Sequence, residues 1–294
     1  MAALLLAVAL GLGAFWDWRR REVDDVLWLV AGLVGAGLGA AVELGRGLEP
    51  LLLWILVSAF VLQHVVPWDR PLERVSDSLP GIVEATMYVA VGVVIVSLAI
   101  LQGVGSGMVP LEVIAVYLSV LGARGLFESG VLYGGADAKA LMVAGLIVPL
   151  DATPLLALPP SATAILGFYP FTLTLLMDAA LAAVVIPLGL AVRNLSRGTF
   201  VFGRGFTGFR IPVAELPRRF VWLRDPTFQL GPESEVETTE EDVALRTRQA
   251  AELTRQGVQE VWVTPQLPFV VFLWVGALTA VIAGNLLFDL FAVL

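Results

Sequence analysis

The chain has 294 residues, of which 58% are hydrophobic and 15% charged, with a mean hydropathy of +0.86. That composition lies outside the soluble globular range and predicts a membrane protein. The absence of cysteine and the single histidine, His64, exclude a disulfide framework, a thiolate or histidine-rich metal centre and a cysteine nucleophile, and the net charge of −8 argues against a nucleic-acid partner.

A spanning helix needs about 20 mostly apolar residues. By that measure apolar runs lie at 2–16, 26–42, 50–66, 82–101, 109–122, 138–150, 165–192 and 267–292. They predict an all-α polytopic membrane protein, a bundle of about eight transmembrane helices, or six to eight because the first, fifth and sixth runs are short. The first run has no basic segment ahead of it and its arginines follow, so it is expected to be a retained helix rather than a signal peptide. In the second run, "AGLVGAGLG" places Ala31, Gly35 and Gly39 at the four-residue spacing that lets helices approach closely, within the protein or between copies.

Basic residues fall on alternate connections. With the N-terminus outside, the connections 17–25, 67–81, 123–137 and 193–266 and the start of the sixth run hold every lysine and arginine except Arg46. The positive-inside rule then puts Asp17, at the end of the first run, and Asp137, at the start of the sixth, on the cytoplasmic face.

The polar segment 193–266 divides by charge. Residues 193–224 carry seven arginines and one glutamate, and "GTFVFGRGFTGFRIPVAEL" alternates apolar and turn residues, which predicts short strands or an extended stretch near anionic headgroups. Residues 225–264 carry nine acids and three arginines; the run "PESEVETTEED" reads as a solvated loop, and 240–256 as a short amphipathic helix.

An ionisable group in hydrocarbon costs on the order of 3 kcal/mol, so acids that persist there usually have a partner or a task. Asp17 lies in "GAFWDWRRREVDDVLWL". Taken alone it reads as an interfacial acid paired with Arg20 or Arg21, and Asp24 and Asp25 read as caps of the next helix. Asp137 lies in "YGGADAKALM", where Gly134, Gly135 and Ala136 remove bulk from the helix start. It reads equally as a helix cap or as a catalyst; Lys139, two residues on, is expected to point away from it and to snorkel. Two carboxylates held close share one proton, and such a pair can activate water and protonate a leaving amine without metal or cofactor. Asp178, mid-span in "LLMDAALAAV", is expected to make an interhelical hydrogen bond. Gln63 and His64 are expected to be packing or interfacial residues.

"YGGADAKALM" resembles the GxGD motif of membrane aspartyl peptidases, and "WDWRRREVDDVLW" resembles the first aspartate motif of the type IV prepilin and preflagellin (archaellin) peptidases. "VWLRDP" and "VTPQLPFVVFLWVG" resemble the cytoplasmic segment and last helix of archaeal members, so the likeness covers most of the chain in outline. Ala136 departs from the strict glycine pattern. The resemblance implies a catalytic pair of Asp17 and Asp137, with Gly134, Gly135 and Ala136 shaping the second motif, and neither metal nor cofactor. It implies cleavage of prepilin- or archaellin-like precursors at the cytoplasmic face of the cell membrane. N-methylation, which bacterial relatives carry out with a cysteine-containing domain, is not expected. The organisation so implied is a peptidase core over 1–192, a cytoplasmic loop segment over 193–266 and a last transmembrane helix over 267–294, associated with the lipid bilayer and with homo-oligomers open. Two rival readings are a proton- or cation-coupled transporter using Asp178, Asp137 and Glu112, and a presenilin-like intramembrane protease. The latter group places its first aspartate in the adjacent helix, far closer in sequence than Asp17 is to Asp137.

Overall fold

In the computed structural model the apolar runs become helices whose ends are set by capping acids, prolines and glycines. The structure describes residues 1–65, 79–102, 110–132, 134–151, 154–156, 168–224 and 239–293. Arg70 and Arg74, the basic residues of the connection 67–81, and most of the acidic run 232–242 lie outside these residues. The helices are α1 (Ala2–Arg20), α2 (Asp25–Arg46), α3 (Leu48–Val65), α4 (Leu79–Gln102), α5 (Leu111–Glu128), α6 (Gly135–Ile147), α7 (Phe171–Ala183) and α8 (Val185–Ser196). There follow a single turn α9 (Arg204–Thr207), strand β1 (Phe209–Pro212), a 3-10 turn (Val213–Arg218), β2 (Val221–Leu223), α10 (Thr239–Arg255), β3 (Glu260–Pro265), α11 (Phe269–Ile282) and α12 (Leu286–Val293).

The expected count of six to eight spans is corrected. Among the described residues, four helical stretches are long and apolar enough to cross a membrane: Ala2–Arg20, Asp25–Arg46, Leu48–Val65 and Phe171–Ser196. The physical reason is that burial inside protein and burial in lipid write the same apolar pattern into a sequence. Helix α6 has 13 residues, about 20 Å at 1.5 Å per residue, and is apolar because it is enclosed by protein. Helix α5 carries Glu112, Arg124 and Glu128 over its 18 residues. The run 267–292 breaks at Gly284, whose φ of +89° is a left-handed turn suited to glycine, into the short helices α11 and α12. Four spans still make the molecule a multi-pass membrane protein.

The chain forms two compact units, Met1–Trp16 with Val23–Leu181 and Phe269–Leu294, and Asp17–Glu22 with Ala182–Pro268. In the first, α6 is the central helix. Residues Ala138 and Ala140–Ile147 are all buried, and α2, α3, α5 and α11 pack around them. Close approach depends on missing side chains. A Cβ on Gly35 would come within 2.7 Å of Ile147 on α6, and one on Gly39 within 2.0 Å of the Trp54 ring on α3. The small-residue stripe of α2 therefore packs within the protein, and Trp54 Nε1 closes the α2–α3 contact by donating to the Ala36 carbonyl at 2.9 Å.

The second unit is built around a three-stranded antiparallel sheet of order β1-β3-β2. Phe209 and Ile211 of β1, Val221 and Leu223 of β2, and Val261 and Val263 of β3 turn to one core, which Leu216 and Leu253 complete. The short strands and the helix read from 193–224 and 240–256 correspond to β1, β2 and α10. The strand between them, β3, comes from a part of the sequence not read as a strand.

Candidate functional site

Helix α6 begins at Gly135 with Gly134 as its N-cap residue, and Gly134 offers no capping side chain. Asp137 occupies the first turn, where the helix dipole favours a carboxylate, and its amide donates to the Gly134 carbonyl at 3.0 Å. The carboxylate folds back over this turn. A Cβ on Gly134 would stand 2.8 Å from Asp137 Oδ2 and 3.3 Å from its Cγ, whereas a Cβ on Gly135 would meet nothing within 4 Å. The two glycines therefore differ: Gly134 supplies the volume that the carboxylate fills, and Gly135 faces open space away from it. Ala136 is partly exposed, and a methyl group is tolerated there.

Lys139 does not turn to Asp137. Its Nζ lies 2.6 Å from Asp25 Oδ1, which ties the first turn of α6 to the first turn of α2. Asp24, one residue earlier, is the N-cap of α2 and accepts from the Val26 amide at 2.9 Å. The predicted cap role of Asp24 is seen, and Asp25 adds an ion pair that sequence reading missed. The only signal for it was that Lys139 is the sole lysine of the chain.

Asp17 belongs to the second unit and is described within it. It lies in the last turn of α1, where the dipole opposes a carboxylate, and it is only 8% exposed. Arg19 and Arg20 share that turn. The chain then leaves the helix at Arg21, whose φ of +60° is uncommon for a residue with a side chain. The Arg21 amide donates to the Asp17 carbonyl at 3.0 Å and its Nη1 approaches the same oxygen at 3.4 Å. Burial pushes the Arg21 guanidinium below its ordinary range, and the Asp17 charge works in the opposite direction.

Arg21 is part of a partly buried assembly that no sequence pattern announced. Its guanidinium carbon lies 5.2 Å from the centre of the Phe220 ring, and that of Arg246 lies 5.6 Å from the same ring. Arg246, 2% exposed, has its Nη1 at 2.9 Å from Asp242 Oδ2, which also accepts from Gln266 Nε2 at 2.9 Å. Burial lowers the Arg246 pKa, and Asp242 raises it. Residues from four separate stretches of sequence thus meet around one aromatic ring.

Asp178, Glu112 and Glu43 have structural partners. Asp178 Oδ1 accepts from the Leu286 amide at 3.1 Å and so anchors the start of α12 to α7, the interhelical hydrogen bond expected of it. Beside it, Thr174 Oγ1 donates to Asp151 at 2.7 Å and Asn285 Nδ2 to Thr174 at 3.3 Å. Glu112 and Glu43 are bridged by Arg46, whose Nη1 lies 3.0 Å from one and 2.8 Å from the other, which joins α5 to α2. His64 packs with Phe60 and Tyr88. Its Nδ1 sits 2.7 Å from the Phe60 carbonyl, to which it donates, and its Nε2 lies 2.7 Å from the Tyr88 hydroxyl.

No protein-family model matches the chain, and neither does any curated protein.

Proposed function

We propose that the chain is a membrane-embedded aspartyl endopeptidase of the prepilin and archaellin peptidase class, with Asp17 and Asp137 as its catalytic pair. The observation that carries this reading is the clearance at Gly134: it lacks the Cβ that would crowd the Asp137 carboxylate, standing 2.8 Å from Oδ2. A plain helix cap needs no such clearance. Asp17 adds a second carboxylate at a helix terminus, in a position that its own helix dipole disfavours.

In this mechanism the pair holds one proton between two carboxyl groups. The ionised member takes a proton from water as the water oxygen attacks the scissile carbonyl carbon. The protonated member hydrogen-bonds the carbonyl oxygen, and the nitrogen of the departing peptide receives a proton as the C–N bond breaks. Neither metal nor cofactor enters. Lys139 contributes by engaging Asp25, so that its ammonium stabilises the meeting of α6 and α2 rather than the ionised form of Asp137. The substrates on this reading are precursors with a basic segment ahead of an apolar helix, cut on the cytoplasmic side without methylation of the new N-terminus.

The transporter reading has less to draw on, because Asp178 and Glu112 are both engaged in helix-to-helix contacts. Coexpression with a prepilin-like precursor tests the proposal. A shift to smaller size, with the product's new N-terminus at the start of the apolar helix, is the expected result; an uncleaved precursor across pilin-like and archaellin-like substrates would overturn it.

A further inference from the structure

The span Phe171–Ser196 ends in a built turn rather than a loose loop. Its last helical turn carries Asn194, which is 1% exposed and donates through Nδ2 to the carbonyls of Gly205 and Gly208 at 2.9 and 2.8 Å. The Thr199 amide donates to the Asn194 carbonyl at 2.9 Å. Residues 199–208 are therefore clamped to the end of the membrane-crossing stretch that precedes them. Inside the turn, Phe200 and Phe206 meet edge to face at 5.4 Å, and Gly205 is packed so closely that a Cβ would lie 2.6 Å from the Phe200 ring. Gly203 adopts a φ of +78°, which reverses the chain just after Phe202.

The outcome is that Phe202 projects outward. It is 88% exposed, and its neighbour Val201 is exposed beside it. A rigid turn with a polar alternative at every position has no need to display a phenylalanine to water. The basic surroundings are equally marked. Arg197 precedes the turn and Arg204 lies within it, both exposed, while Arg193, in the last turn of the span, stacks its guanidinium 3.9 Å from the Phe209 ring centre. Across 193–224 the only acid is Glu215, and it is engaged by Arg219 at 2.6 Å.

We propose that residues 197–206 form an interfacial anchor, in which Phe202 and Val201 enter the acyl boundary of the bilayer while Arg197 and Arg204 bind anionic phospholipid headgroups of the same leaflet. The bilayer's position follows from the span, because a helix that crosses the membrane must leave it near its own end, and Asn194 ties the turn to that end. The aromatic side chain and the cations then meet the two layers that suit them, hydrocarbon edge and phosphate. This inference is independent of the proposed peptidase activity.

The absence of cysteine in the chain makes the test direct. The full-length protein carrying Phe202→Cys is spin-labelled and reconstituted into phosphatidylcholine vesicles with increasing phosphatidylglycerol, and the label's accessibility to oxygen and to a water-soluble nickel chelate is measured. Arg255→Cys, at a position whose side chain is exposed at the end of α10, serves as the aqueous reference. The expected ratio of oxygen to nickel accessibility is severalfold higher at position 202 than at 255, rises with phosphatidylglycerol, and loses that lipid dependence when Arg197→Gln and Arg204→Gln are added. Val201→Cys should report the same depth, which guards against an artefact of replacing the phenylalanine. Nickel accessibility at 202 equal to that at 255 overturns the proposal. So does a label shielded from both reagents, since another protein surface would then cover the turn, and so does a ratio indifferent to phosphatidylglycerol.

Discussion

Replacing Gly134 with alanine separates the space around Asp137 from the stability of the fold. The Gly134 backbone, at φ −96° and ψ 126°, is extended and open to any residue, so alanine causes no backbone strain. Loss of glycine flexibility in the unfolded chain should raise stability by about 0.4–1 kcal/mol. The new methyl, however, would stand 2.8 Å from Asp137 Oδ2. Relief to an ordinary contact near 3.4 Å moves the carboxylate by about 0.6 Å. Misplacement of a reacting group by about 1 Å can cost on the order of a hundredfold, so Gly134→Ala should lower the cleavage rate by roughly ten- to a hundredfold. Gly135→Ala, whose Cβ meets nothing within 4 Å, is the matched control and should leave the rate within about twofold. The assay is precursor cleavage by purified protein in detergent, read beside the thermal unfolding midpoint. Unchanged cleavage by Gly134→Ala, or equal loss in both variants, would refute the reasoning.

Other expected outcomes follow from the same geometry. Gly145→Ala puts a Cβ 2.7 Å from Ser119 Cβ at the α5–α6 crossing, where Ser119 and Thr172 hydrogen-bond at 2.7 Å, and should cost about 1–3 kcal/mol in thermal or denaturant unfolding. Lys139→Met removes a partly exposed ion pair with Asp25, and a double-mutant cycle with Asp25→Asn should give a coupling of about 0.2–1 kcal/mol. Asn194→Ala leaves two backbone carbonyls without their donor and should destabilise the second unit by about 2–4 kcal/mol, with faster proteolysis between residues 199 and 208. Asp178→Leu, which removes the acceptor for the Leu286 amide, should cost about 1–3 kcal/mol and loosen α12 in hydrogen exchange.

Local chemistry was legible in the sequence wherever neighbours in the chain decide the structure. Asp24 as the cap of α2, the amphipathic helix α10 and the alternation that becomes β1 depend on adjacent residues, and a close reading finds them. The close approach of α2 was also readable, because Gly35 and Gly39 advertise it without naming their partners, Ile147 and Trp54. The number of spans was not legible, since α6 is apolar for the sake of a protein core and α11 ends early at Ile282, and only the folded chain reveals either. Contacts across long separations were equally silent. Arg46 with Glu112, Asp25 with Lys139, and Arg21 with Phe220 and Arg246 join residues that no local pattern links. Strand β3 could have been found from the alternation in "EVWVTP", where Val261 and Val263 are buried, but its place between β1 and β2 could not. At the site itself, sequence named Asp137 and its glycines, and the structure assigned them unequal roles.

The central claim is that Asp17 and Asp137 act as one pair, and conservative replacement tests it most directly. Asn preserves the shape of each side chain and removes its acid–base chemistry. In membranes containing a cleavable precursor, Asp17→Asn and Asp137→Asn are each expected to abolish cleavage with the protein still folded, while Asp178→Asn, which keeps an oxygen for the Leu286 amide, leaves cleavage intact. Cleavage that survives either of the first two changes would contradict the account.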